Sequence, residues 1–163
     1  MRPIFLFILF TLAINLRMNA QNDTVPVVTG KYSILITESQ WFKDWLSSSN
    51  GTFKPDVVER IKQNAMGVEV VIYLGTWCDD SRLHVPKMLD ILNESNIPYS
   101  LVGVNREKEC PFEKKECKNW DVVFVPTFVI LREGIEMGRI VESPSLSLEE
   151  DLEGILLRGM KKD

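Results

Sequence analysis

Among its 163 residues the chain holds one histidine and three cysteines, few of the side chains that most often bind metals or attack substrates. No C-x-x-C pair occurs, so Cys78, Cys110 and Cys117 lack the spacing of a zinc centre. The single histidine, His84, lies six positions after Cys78. That separation does not put two side chains side by side on a helix, so a Cys–His catalytic pair is not expected. His84 reads as a surface or partly packed residue, with Asp80 four positions before it as a local neighbour. There is no basic excess: the formal charge is −4, which argues against a nucleic-acid partner. Long runs of like charge, internal repeats and composition breaks are also missing, so one domain is expected.

The first twenty residues differ from the rest. Arg2 precedes the apolar block IFLFILFTLAI, and Ala20 stands at a plausible cleavage position. A basic start, a short apolar core and a small residue at the cut describe a secretory signal peptide over 1–20. The block falls short of the ~20 residues of a comfortable membrane span, so no stable span is expected after cleavage. No cysteine lies near the cut, which argues against a bacterial lipid anchor. The mature chain is then exported, to a bacterial periplasm or beyond. Residues 21–38 read as an N-terminal lead-in and 39–163 as the folded domain. Disulfides persist outside the cytoplasm, and an odd cysteine count leaves one thiol over. Six residues separate Cys110 from Cys117, across a proline and several charges. The two either close a structural disulfide on that small loop, or one of them resolves a bond made at Cys78.

Local patterns give an order of elements. Ser39 is placed to cap a short helix bearing Trp41, Phe42 and Trp45 on one face, an aromatic anchor for the core. Pro55 opens a second helix with Val57, Val58 and Ile61 at helical spacing, ended by Gly67. Val68–Gly75 is a β-branched, aromatic run of strand length. A long helix from about Asp79 to Ser95 carries Pro86, which should kink it. PYSLVGVNRE gives a strand, and residues 107–119 a charged loop. VVFVPTFVILREG and IEMGRIVES read as two strands joined at Glu133-Gly134. The last helix carries Leu148, Leu152, Ile155 and Leu156, with Ser147 and Glu150 as a capping box. The alternation implies an α/β fold, a central mixed sheet flanked by helices on both faces.

The chemistry concentrates at LGTWCDDSRLHVPKM, Leu74–Met88. Cys78 falls where a strand gives way to a helix, and the helix N-terminus favours thiolate, the nucleophilic form. Ser81 falls one turn in, positioned to donate to the sulfur, and Trp77 shields one side. Asp79 and Asp80 tune the thiol in opposite ways. Acids in a first turn stabilise the helix, while their charge beside the sulfur disfavours thiolate.

WCDDS with Pro86 behind it, and FVPTFVILREG downstream, resemble the active-site and cis-proline segments of the thioredoxin superfamily. The resemblance covers roughly Asp56 to Met160. It implies a thioredoxin-like fold in which Pro126 is cis and Val125-Pro126 lie against Cys78 and hold the substrate backbone beside Trp77. It also implies thiol–disulfide exchange without a cofactor, acting on protein or small-molecule thiols and disulfides. Ser81 stands where the family's usual C-x-x-C pair has its resolving cysteine. Release would then fall to an external thiol such as glutathione, as in single-cysteine members, or to Cys110 or Cys117. The rival reading is a redox-inactive module that binds peptides or partner proteins between Trp77 and Pro126. A thiol-peroxidase activity would want an arginine near the cysteine, for which Arg82 is the candidate.

Overall fold

The computed structural model describes residues 29–31, 37–49, 52–109, 111 and 121–159. The expected signal segment 1–20, most of the lead-in, and both Cys110 and Cys117 lie outside the described residues. Along the chain run β1 (Gly30–Lys31), α1 (Gln40–Ser48), α2 (Pro55–Gln63), β2 (Val68–Leu74), α3 (Asp79–Glu94), β3 (Tyr99–Gly103), β4 (Thr127–Arg132), β5 (Ile135–Val141) and α4 (Leu148–Gly159). β1 falls inside the segment expected as a lead-in, where Gly30 and Lys31 pair with Gly103 and Val102.

The sheet has the order β1-β3-β2-β4-β5. β2 and β3 are parallel, and the β2–β4 and β4–β5 pairs are antiparallel. β2 is central because its sequence supports burial: Val68, Val70, Ile72 and Leu74 point to one side and are at most 2% exposed. Phe128 stands opposite Ile72 and Ile140 opposite Phe128, which carries the buried row across three strands. Glu133 and Gly134 both take positive φ, 51° and 77°, as a two-residue turn matched to strand twist requires.

One large apolar cluster joins that row to core residues of all four helices. Phe42 and Trp45 of α1 enter it, with Trp41 edge-on to both rings at 5.6 and 5.1 Å, so the aromatic trio anchors α1 as expected. α3 runs unbroken through Pro86, which is buried. Ser147 and Glu150 meet at the start of α4: the Ser147 hydroxyl donates to Glu150 Oε2 at 2.9 Å and accepts from the Glu150 N–H at 3.3 Å. Among the described residues the four helices share this one face. The other face is covered at the C-terminal end of β2 by Val104, Val122 and Val125, packed against Tyr73, Trp77 and Cys78. The mixed sheet with its helices is the α/β arrangement expected. The expected strand 122–134 begins only at Thr127, because Val122 and Val125 turn into this second cluster.

Candidate active site

The site is built on the turn between β2 and α3. Gly75 opens it, and its carbonyl accepts the Cys78 N–H at 3.0 Å. A Cβ on Gly75 would lie 2.8 Å from Trp77 Cε2 and 3.2 Å from Cys78 Cβ, so only glycine lets the tryptophan and cysteine fold over this point. Cys78 is the N-cap of α3, with extended backbone at φ −104° and ψ 124°. Its carbonyl takes the first helical bond, from the Arg82 N–H at 3.1 Å. Its side chain makes no capping bond, so Sγ is left for other partners at the positive end of the helix.

That partner comes from the segment just before β4, the strand paired with β2. The half-buried Cys78 thiol donates to the Val125 carbonyl at 3.2 Å, immediately before a cis Val125–Pro126 bond. Trp77 Nε1–H donates to the Val104 carbonyl at 2.9 Å, which fixes the indole as one wall. The Arg106 guanidinium sits over the same ring, 5.0 Å from its centroid. Tyr73 packs beneath, where burial pushes its phenol up and Arg139 opposes the shift; Asp121 and Glu136 add to it. The phenol is therefore neutral at ordinary pH.

Cys78, Trp77, Val125 and Pro126 are thus brought together. Asp79 and Asp80 stand exposed in the first turn. Ser81 behaves differently from expectation. It is fully buried, and its hydroxyl accepts the Gly75 N–H at 3.2 Å. No bond from Ser81 to the sulfur is present among the described residues. The third residue of the helix points back under the turn rather than out to the thiol. His84 lies away from the sulfur; burial pushes its imidazole down, Asp80 opposes this and Lys87 adds to it. Gly75, Val104 and Arg106 were not anticipated. The glycine ahead of Thr76-Trp77-Cys78 was a readable signal of close approach. Val104 and Arg106 arrive only through the parallel β2–β3 pairing, which continues as the Val104 N–H bond to the Leu74 carbonyl at 2.9 Å.

Strand order, the parallel central pair and a cysteine at the strand–helix junction make this an α/β protein of thioredoxin-like fold. No protein-family model matches the sequence, and no curated protein matches it. Solved structures do match. A protein of unknown function from Pseudomonas aeruginosa is 12% identical, with 82% of this chain and 94% of that one covered at a TM-score of 0.57. An HIV epitope-scaffold is 14% identical, with 81% and 94% covered at 0.52. These two likenesses are of fold. A Fasciola hepatica thioredoxin is 23% identical, with 64% of this chain and 91% of that one covered at 0.42.

Proposed function

We propose that this is an exported thiol–disulfide oxidoreductase in which Cys78 acts alone in the first step. The Cys78 thiolate attacks a partner disulfide, forming one mixed disulfide and releasing the partner's other sulfur as thiolate. A second thiol attacks the mixed disulfide, takes the partner's sulfur and returns Cys78 reduced. The electrons come from that external thiol, of the glutathione class; where Cys110 or Cys117 resolves instead, it attacks Cys78 Sγ, frees the partner as thiolate and leaves an internal disulfide that external thiols then reduce. Trp77 forms the wall of the site, and Val125 and Pro126 orient the partner's backbone. Asp79 and Asp80 set the local charge. Ser81 occupies the place of the resolving cysteine and holds the turn through Gly75. The observation that carries the reading is the half-buried Cys78 Sγ at the N-terminus of α3, facing the Val125 carbonyl at 3.2 Å. The export reading rests on residues 1–20 of the sequence.

The test uses the mature chain with hydroxyethyl disulfide as oxidant and glutathione as reductant, following glutathione consumption. Cys78→Ser should abolish turnover and the mixed-disulfide adduct seen by mass spectrometry. The Cys110→Ser, Cys117→Ser double variant should retain the adduct. An adduct with no turnover would favour the binding-module reading, for which the buried, bonded Ser81 is the specific support. No adduct at all would sink the thiol reading.

A further inference from the structure

A cleft of about 310 Å³ opens on α3 one turn beyond the cysteine, between the end of α1 and the approach to α4. Its polar wall is Arg82, His84 and Lys87 with Thr52 and Ser147; no carboxylate lines it. Of the acids around it, the exposed Asp80 acts on His84 from one helical turn away, and three others have partners. Asp90 accepts from Ser49 at 3.0 Å, Glu150 pairs with Lys54 at 2.7 Å, and Glu149 lies 3.5 Å from Lys87. Arg82 is exposed and pairs with no carboxylate among the described residues. Its apolar lining is the buried Leu148 with Leu146 and Leu83, which stand 77% and 66% exposed; Leu146 and Leu148 lie at the approach to α4, while Leu83 is on α3 next to Arg82. The lining thus combines two leucines left in solvent with a guanidinium that has no carboxylate partner among the described residues.

We propose that this cleft binds a small organic anion, its carboxylate on the Arg82 side and its aliphatic body against Leu146 and Leu148. The volume lies at the small end of ligand cavities, which run about 300–1,000 Å³, and so selects a short ligand. The guanidinium offers a carboxylate two parallel N–H donors. His84, pushed toward the neutral imidazole by burial, adds a donor without a competing charge. The site is independent of the thiol chemistry, because none of its walls includes Cys78.

His84 is the sole histidine, so an untagged chain gives one set of imidazole proton signals from inside the cleft. Hexanoate is titrated against those signals by NMR, with 1-hexanol and inorganic phosphate as the two half-ligands. A saturable shift with hexanoate, and weaker effects from either half, is expected. Arg82→Gln should weaken hexanoate at least about tenfold, the worth of a charge-assisted bond, without moving the hexanol response. Leu146→Ser should weaken hexanoate and leave phosphate unchanged. No saturable shift, an Arg82→Gln variant that binds as well as the parent, or phosphate matching hexanoate would each overturn the proposal. Running the titration on Cys78→Ser as well keeps this outcome separate from that of the redox assay.

Discussion

At the scale of single residues, the site divides into what chemistry announces and what only geometry supplies. Cys78, Trp77, Val125 and Pro126 were legible because the strand–W-C–helix junction and the V-P-T segment are local patterns. The partner of Ser81 was not legible, because a hydroxyl one turn into a helix has several acceptors and donors within reach. Burial decided it: Ser81 is fully enclosed, and among the described residues its partner is the N–H of Gly75, itself buried. Removing that hydroxyl leaves a buried donor unmade, which costs more than the bond itself contributes. Ser81→Ala is therefore expected to lower stability by about 1–3 kcal/mol in urea denaturation. Asp80→Asn, at the exposed position next to it, should stay within about 0.5 kcal/mol. Equal effects from the two substitutions would mean that the Ser81–Gly75 bond does not hold the turn.

Helices and strands were largely readable where period and punctuation agree, as in the apolar row of β2, the Pro55 start of α2 and the Ser147–Glu150 start of α4. Their ends were less so. α2 stops at Gln63 rather than at Gly67, since Asn64 already leaves helical geometry at φ −107° and Gly67, at φ 69°, serves the next turn. Its carbonyl accepts the N–H of Glu133 at 2.9 Å from the hairpin, a contact no local pattern announces. α3 also carries a titration that stability measurements can read. His84 is held below the ordinary imidazole value chiefly by burial, so the native chain binds fewer protons than the unfolded chain as pH falls through about 6.5. Stability must then decline over that interval until the native value is passed. His84→Gln removes this contribution. Its urea midpoint should fall less than that of the parent between about pH 7.5 and about pH 5.5. Identical pH profiles would show that His84 is not held in the neutral form by the fold.

Over the whole molecule the two apolar clusters divide the labour, and this division was the least legible feature. Periodicity tells which face of an element is buried but not which side of the sheet receives each helix. That depends on crossovers and on how far α1 and α2 reach toward α3 and α4. The larger cluster spans the helices and four strands, β2 to β5, with Phe128 fully buried between Ile72 and Ile140. The smaller one, Val104, Val122 and Val125, lies on the opposite face directly against Trp77 and Cys78. Global stability should therefore sit in the first and the definition of the site in the second. Phe128→Ala is expected to cost about 3–5 kcal/mol, a large part of the roughly 5–15 kcal/mol that a domain has. Val122→Ala removes about two methylene-equivalents and should cost about 1–2 kcal/mol. Its larger effect should fall on Cys78, whose cover loosens. In a background lacking Cys110 and Cys117, Val122→Ala should speed labelling of Cys78 by an aromatic disulfide reagent while lowering the urea midpoint only slightly. Phe128→Ala should do the reverse at low denaturant, with a much lower midpoint and little change in labelling while the chain stays folded. Were Val122→Ala to lower the midpoint as far as Phe128→Ala, or to leave Cys78 labelling unchanged, the two faces would have to be treated as one cooperative core, with the site supported by the helices behind it rather than by the three valines in front.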